Sequence, residues 1–135
     1  MEALTVNRVP AAALVDIMAA LESDNTDTTA GAVSALEACG QHARGYTVKQ
    51  GDKTVMAYLL AFQDCAKKRV CWVVGARGNA PGHDLTDEVL PVIEQQAREG
   101  GAQQVAITTK RRGLAKKICE SGFQETGRTY RKNLQ

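Results

Sequence analysis

The eight residues Gly75-Ala76-Arg77-Gly78-Asn79-Ala80-Pro81-Gly82 carry the clearest chemical signal in the chain. They follow an apolar run, Arg69-Val70-Cys71-Trp72-Val73-Val74, and precede a helical stretch from about Leu85 to Glu99. A glycine-rich turn between a strand and a helix aims several backbone N–H groups at one point beside the helix N-terminus. Such a turn holds phosphate without needing a cationic side chain. Phosphate-bearing cofactors are therefore the first ligands to consider, although glycine, asparagine and proline also build ordinary connections.

Proton chemistry has a few candidates. His83 follows the turn directly, and an imidazole with a reference pKa of about 6.5 can deprotonate an amine. A histidine there can equally solvate the start of the helix. The strand Cys71–Val74 carries no carboxylate, and Asp64, near the end of the preceding strand, is the closest in sequence. Tyr46, Tyr58 and Tyr130 can donate a proton only if the fold turns one inward. Cys39, Cys65, Cys71 and Cys119 show no Cys-x-x-Cys pair and no zinc-site spacing. Cys71 in an apolar strand and Cys119 on the apolar side of a helix read as core thiols of a reduced, intracellular protein.

Charge is unevenly placed. Residues 1–107 hold nine basic and thirteen acidic side chains, and residues 108–135 hold eight and two. The first part is thus net −4 and the second +6, which together give the formal +2 of the chain. Lys110, Arg111, Arg112, Lys116 and Lys117 fall on the polar side of one helix, with Arg128, Arg131 and Lys132 following. Such a run is usually a solvated face. It can also steer an anionic ligand, an acidic protein or a nucleic acid, but no aromatic residues interleave it for base stacking. No stretch reaches the roughly 18 apolar residues of a membrane span. The run Ala11 to Leu21 contains Asp16 and has no basic lead, which argues against a secretion signal.

The elements that must position these residues alternate in type. Leu4-Thr5-Val6 predicts a short strand, and residues 11–21 and 30–39 predict two helices. Tyr46–Lys49 and Thr54–Phe62 flank Gln50-Gly51-Asp52-Lys53, a hairpin signal. Val105–Thr108 predicts a further strand and Arg112–Glu120 a helix ending at Ser121-Gly122. Phe123 to Leu134 reads as two strands around Gly127. Pro91 falls inside the helix expected from Leu85, at a cost of roughly 3 kcal/mol in a helix interior, so that helix is expected to start late or to kink. A length of 135 residues fits one domain with a real core.

This order, with two local motifs, resembles the GNAT superfamily of acyl-CoA-dependent N-acyltransferases. The family's pyrophosphate loop, Arg/Gln-x-x-Gly-x-Gly/Ala after the fourth strand, corresponds to Arg77-Gly78-Asn79-Ala80-Pro81-Gly82. Ala80 replaces a glycine there, and Pro81 removes a backbone donor. Ile118-Cys119-Glu120-Ser121-Gly122-Phe123 is similar to the family's Tyr-x-x-x-Gly-Phe helix end. Ile118 stands where the family often has a tyrosine that protonates the departing thiolate.

The resemblance implies one α/β domain over residues 1–135. It would have a mixed, mostly antiparallel sheet of six or seven strands and about four helices. The strands Arg69–Val74 and Val105–Thr108 would lie parallel and splay apart near Gly75. It also implies acetyl-CoA as cofactor, held by Arg77, Gly78, Asn79, Ala80 and Gly82, and an amine as acceptor. His83, Asp64 and Tyr130 are then the catalytic candidates. With Ile118 unable to donate a proton, little transfer to generic amines is expected. The alternative is a catalytically inactive GNAT-like binding or assembly protein of the kind found among phage virion-associated proteins. It would dock an acidic protein or a nucleic acid on Arg111, Arg112, Lys116 and Lys117. The expected setting is cytoplasmic or within a virion, with no membrane.

Overall fold

Gly51 and Asp52 form the two-residue turn of a hairpin whose arms are β2 (Ala43–Gln50) and β3 (Lys53–Asp64). The computed structural model describes residues 3–10, 13, 16, 43–78, 84–109, 112–128, 130 and 132–134. The helices expected over residues 11–21 and 30–39 lie outside the described residues, apart from Ala13 and Asp16.

β1 (Leu4–Arg8) pairs with β2, and β3 with β4 (Arg69–Gly78), all antiparallel. Helix α1 (Leu85–Glu99) then crosses to β5 (Gln104–Ile107), which pairs with β4 in parallel. Helix α2 (Arg112–Glu120) follows. Among the described residues the strands lie in the order β1-β2-β3-β4-β5. The α/β class and the mixed, mostly antiparallel sheet are therefore as expected, with five strands among the described residues where six or seven were expected. No strand forms among the described residues of 123–134. The apolar side chains of that segment are too few to seal a sheet face. Tyr130 and Leu134 are exposed, and Arg128 is satisfied locally by Glu125 at 2.9 Å.

The core lies between the sheet and α1. Strand alternation puts Tyr46, Val48, Tyr58, Leu60 and Cys71 on one face, and the helix answers with Val89, Ile93 and Ala97. These three helical positions recur at four-residue spacing, which makes one stripe facing the sheet. The Tyr46 and Tyr58 rings stack at a centroid distance of 5.2 Å. The Tyr58 hydroxyl donates to Gln96 Oε1 at 2.7 Å, binding β3 to α1 across the core. Burial pushes the Tyr58 phenol far above its ordinary value, so it stays protonated. Pro91 sits inside α1, which nevertheless starts at Leu85 and runs through it. Pro91 and Asp87, whose carbonyl loses its usual partner, are both exposed, so water can replace the missing donor.

Gly-Phe has a structural reason. At the end of α2 the Phe123 N–H donates to the Ile118 carbonyl at 3.3 Å and the Gly122 N–H to the Cys119 carbonyl at 3.2 Å. Gly122 has φ +96°, the left-handed conformation that this pair of bonds requires. α2 meets the body through buried Ile118 and half-buried Leu114, one turn apart. Cys119 projects about 100° away from Ile118 and is exposed, so it is not the core thiol expected. Cys65 is exposed as well. Cys71 is fully buried, and burial raises its thiol to about 11 against the opposing pull of Arg44.

Candidate functional site

The parallel pair β4–β5 is registered as Val70↔Gln104, Cys71↔Val105, Trp72↔Ala106 and Val73↔Ile107, and there it stops. β5 ends at Ile107, but β4 continues to Gly78. On its other side β4 stays bonded to β3, through Leu59↔Gly75, Tyr58↔Ala76, Ala57↔Arg77 and Met56↔Gly78. Leu60 opposes Val73, so Val74 is an extra residue, a bulge that bends the strand just where its parallel partner ends. Backbone groups of β4 beyond Val73 thus have no β5 partner. In an open α/β sheet this is where ligands bind, at the carboxyl ends of parallel strands.

The extent of β4 corrects the sequence reading. Gly75 to Gly78 are ladder residues, not the start of a loop, because the bulge resets the register and the long β3 offers them partners. Gly78 faces Met56 so closely that a Cβ would lie 2.5 Å from the Met56 Cβ and 2.6 Å from the Val55 carbonyl oxygen. Glycine is therefore needed there by the sheet, whatever it contributes to a ligand. Gly78→Ala is expected to cost about 1–3 kcal/mol through overpacking against atoms that cannot easily move. Thermal unfolding checks this, and an unchanged Tm would show that the strands part easily.

The same end of the sheet holds the start of α1. Asp84 caps it, with an extended backbone (φ −93°, ψ 96°) and Oδ1 accepting the Asp87 N–H at 3.3 Å. Its Oδ2 accepts from Lys117 Nζ of α2 at 2.7 Å. The hydrogen bond from Lys117, then that from Asp87, holds the Asp84 carboxyl below its ordinary value, and Asp84 holds the Lys117 ammonium above its own. The signs fix a window. A lowered carboxyl contributes stability above its unfolded value of about 3.9, lost as pH falls. A raised ammonium contributes below its unfolded value of about 10.4, lost as pH rises. The Tm difference between wild type and Lys117→Met is therefore expected to be flat around neutral pH and to shrink as pH falls through the lowered value of the Asp84 carboxyl. A difference that persists at pH 2 would remove the pair from the account.

The candidates sort by position. Asp64 ends β3 opposite Arg69, at the other end of β4 from Gly78. Nine residues of extended strand separate those ends, about 30 Å, so the antiparallel pairing takes Asp64 away from the opening. It faces Arg69 at 3.8 Å in solvent instead. Tyr130 is 84% exposed, outside any cleft formed by the described residues, and Ile118 is buried. Tyr46 and Tyr58 do turn inward, but into the core. His83, Asn79, Ala80 and Gly82 lie outside the described residues. Arg77 is on β4 next to Gly78. On α2, Arg112 and Lys116 are exposed, Lys117 is taken up by Asp84, and Lys110, Arg111 and Arg131 lie outside the described residues. No group of three or more metal-ligating side chains occurs among the described residues. No helix among them is long and apolar enough to cross a membrane.

Solved structures share this arrangement. A probable acetyltransferase matches with a TM-score of 0.65 at 21% identity, over 97% of this chain and 99% of that one. A putative acetyl transferase from Pyrococcus furiosus matches with a TM-score of 0.72 at 12% identity, over 98% and 100%. The chain has the GNAT fold. AAC(6')-Iy, solved with the bisubstrate analog CoA-S-monomethyl-acetylneamine, also matches, with a TM-score of 0.63 at 12% identity over 98% and 99%. No family model matches the sequence, and no curated protein matches it. In this GNAT fold β4 and β5 part after Val73 and Ile107, and a Schellman turn at Gly122-Phe123 ends α2. Ile118 stands in the last turn of α2.

Proposed function

We propose that this chain is an acetyl-CoA-dependent N-acetyltransferase that takes its donor into the gap between β4 and β5. The parting of the two strands after Val73 and Ile107 carries the reading, because it leaves β4 backbone groups without a β5 partner where an extended ligand would bond. The matched AAC(6')-Iy structure, which holds a CoA-containing bisubstrate, supports it. Arg77, Gly78, Asn79, Ala80 and Gly82 would hold the diphosphate at the start of α1. When bound, acetyl-CoA supplies an acetyl group on a thioester, which an amine can take directly.

Among this chain's own groups, backbone N–H donors of β4 past the bulge would polarise the thioester carbonyl. His83 is the remaining base, since Asp64 is at the wrong end of the sheet and Tyr130 points into solvent. It immediately precedes Asp84, the cap of α1. With Ile118 in the last helix, water would protonate the leaving thiolate, and turnover would be modest. Thiol release from acetyl-CoA in the presence of a panel of primary amines tests this. Release above the acceptor-free rate is expected with at least one acceptor, and none with any of them would sink the enzymatic reading.

A second reading follows from Arg112 and Lys116, exposed on α2. With Arg111 they would offer a docking face for an acidic protein or nucleic acid, weakened steeply by salt. The proteins matched above give no support to a role in phage assembly.

A further inference from the structure

At the C-terminal end of α1, the sheet face that packs against this helix carries a cluster the donor site does not use. Arg44 is two residues from Tyr46, Phe62 two from Leu60 and Arg69 two from Cys71, so strand alternation puts all three on that face. The Phe62 ring packs against Gly100, where a Cβ would lie 2.5 Å from two ring carbons. The Arg44 guanidinium lies over the ring at 4.8 Å from its centroid, and the Arg69 guanidinium at 5.2 Å. A guanidinium stacked on a ring uses its face and keeps its in-plane N–H groups for other partners. Those partners are missing among the described residues. The last carbonyls of α1 are taken by backbone, Gln96 by the Gly100 N–H at 3.1 Å, Arg98 by that of Gly101 at 3.0 Å and Ala97 by that of Ala102 at 2.9 Å. Arg44 has no hydrogen bond or ion pair among the described residues. Asp64 stops 3.8 Å from Arg69 Nη1, beyond hydrogen-bond distance, and Arg69 Nε is buried with no acceptor. Lys67 and Lys68, exposed in the turn after Asp64, add positive charge.

We propose that Arg44 and Arg69 form a binding site for a short dicarboxylate, one carboxylate on each guanidinium, with Phe62 as the platform that holds both. A planar carboxylate matches the guanidinium fork, and Arg presents that fork where Lys would present a point charge. Both guanidiniums lie within 5.2 Å of one ring centroid, so the two ends of a short chain can reach them together. The Arg69 side chain is 39% exposed, and a small turn brings its Nε–Nη edge to the ligand oxygens it lacks. Asp64, 80% exposed, gives way without losing a hydrogen bond to Arg69. The binding breaks no covalent bond. The site lies at the end of β4 opposite the parting of β4 from β5, so it stands whether or not the chain takes acetyl-CoA.

Calorimetric titration of the full chain with succinate and glutarate, at constant ionic strength in chloride buffer, tests the site. Saturable binding is expected, at least about tenfold tighter than that of acetate, because the second carboxylate binds as part of the same molecule. Arg44→Gln and Arg69→Gln should each weaken it about tenfold through loss of a charge-assisted pair. Phe62→Leu keeps both charges and should still weaken it about threefold, which a diffuse basic surface would not show. The dicarboxylate should raise the Tm of wild type and leave that of the Arg44→Gln, Arg69→Gln double variant unchanged. No saturable binding by wild type, binding no tighter than that of acetate, or equal binding by wild type and both arginine variants would overturn the proposal. Inorganic phosphate binding as tightly as the dicarboxylates would overturn the assignment to carboxylates.

Discussion

His83→Gln is expected to lower kcat/KM for acetyl transfer by about 10²–10⁴-fold, the usual worth of a positioned general base. Acetyl-CoA affinity and Tm should not change, because glutamine keeps the size and polarity of the side chain and, in the proposed site, backbone groups would hold the cofactor. The pH profile is the sharper readout. A base must be unprotonated to act, so wild-type kcat/KM should fall on acidification. The variant should lose that limb and follow the free-base fraction of the acceptor amine alone. Asp64→Asn and Tyr130→Phe should leave the rate within about twofold, as surface changes distant from the site usually do. If His83→Gln is as active as wild type and the limb persists, the base lies elsewhere.

The largest expected effect on stability belongs to Tyr58→Ala. Tyr58 is fully buried, stacks on Tyr46 and donates its hydroxyl to Gln96 of α1. Truncation removes an aromatic ring from a packed core, at about 3–5 kcal/mol. For a domain of this size that is a drop in Tm on the order of 10–20 °C. Tyr58→Phe removes only the hydroxyl and should cost about 0.5–1.5 kcal/mol, since Gln96 is partly accessible and can turn to water. Chemical denaturation of both variants separates the two contributions. Because Tyr58 is fully buried and its hydroxyl is bonded to Gln96, Tyr58→Phe should turn over acetyl-CoA at the wild-type rate. A selective loss of kcat would make its phenol a participant in the chemistry.

Much of the frame was legible in the sequence, for local reasons. Gln50-Gly51-Asp52-Lys53 specifies a hairpin whatever lies around it. Gly100-Gly101 and Ser121-Gly122 stop their helices through turn geometry that three or four residues encode. The order of Arg69–Val74, the helix from Leu85 and Val105–Thr108 implied parallel neighbours, and the register of Cys71 with Val105 bears this out.

What sequence could not supply was distance across the fold. The continuation of β4 to Gly78 depends on β3 being long enough to pair with it and on a bulge at Val74. Neither shows in the composition of a glycine-rich segment. Asp64 looked near because it precedes β4 in the chain, yet antiparallel pairing carries it to the far end. The Asp84–Lys117 contact spans 33 positions, beyond the reach of any local motif. Phe123 to Leu134 has the residue types of strands, but without buried partners type alone does not make a strand.

The central claim is that acetyl-CoA enters between β4 and β5. Its most direct test is an NMR titration of the isotope-labelled full chain with acetyl-CoA. The account predicts that amide shifts cluster at Val74 to Gly78, Ile107 to Thr109 and Asp84 to Glu88, with those of Leu4 to Arg8 and Asp64 to Arg69 unmoved. Shifts confined to Arg112 and Lys116 of α2, or no shifts at saturating ligand, would contradict it.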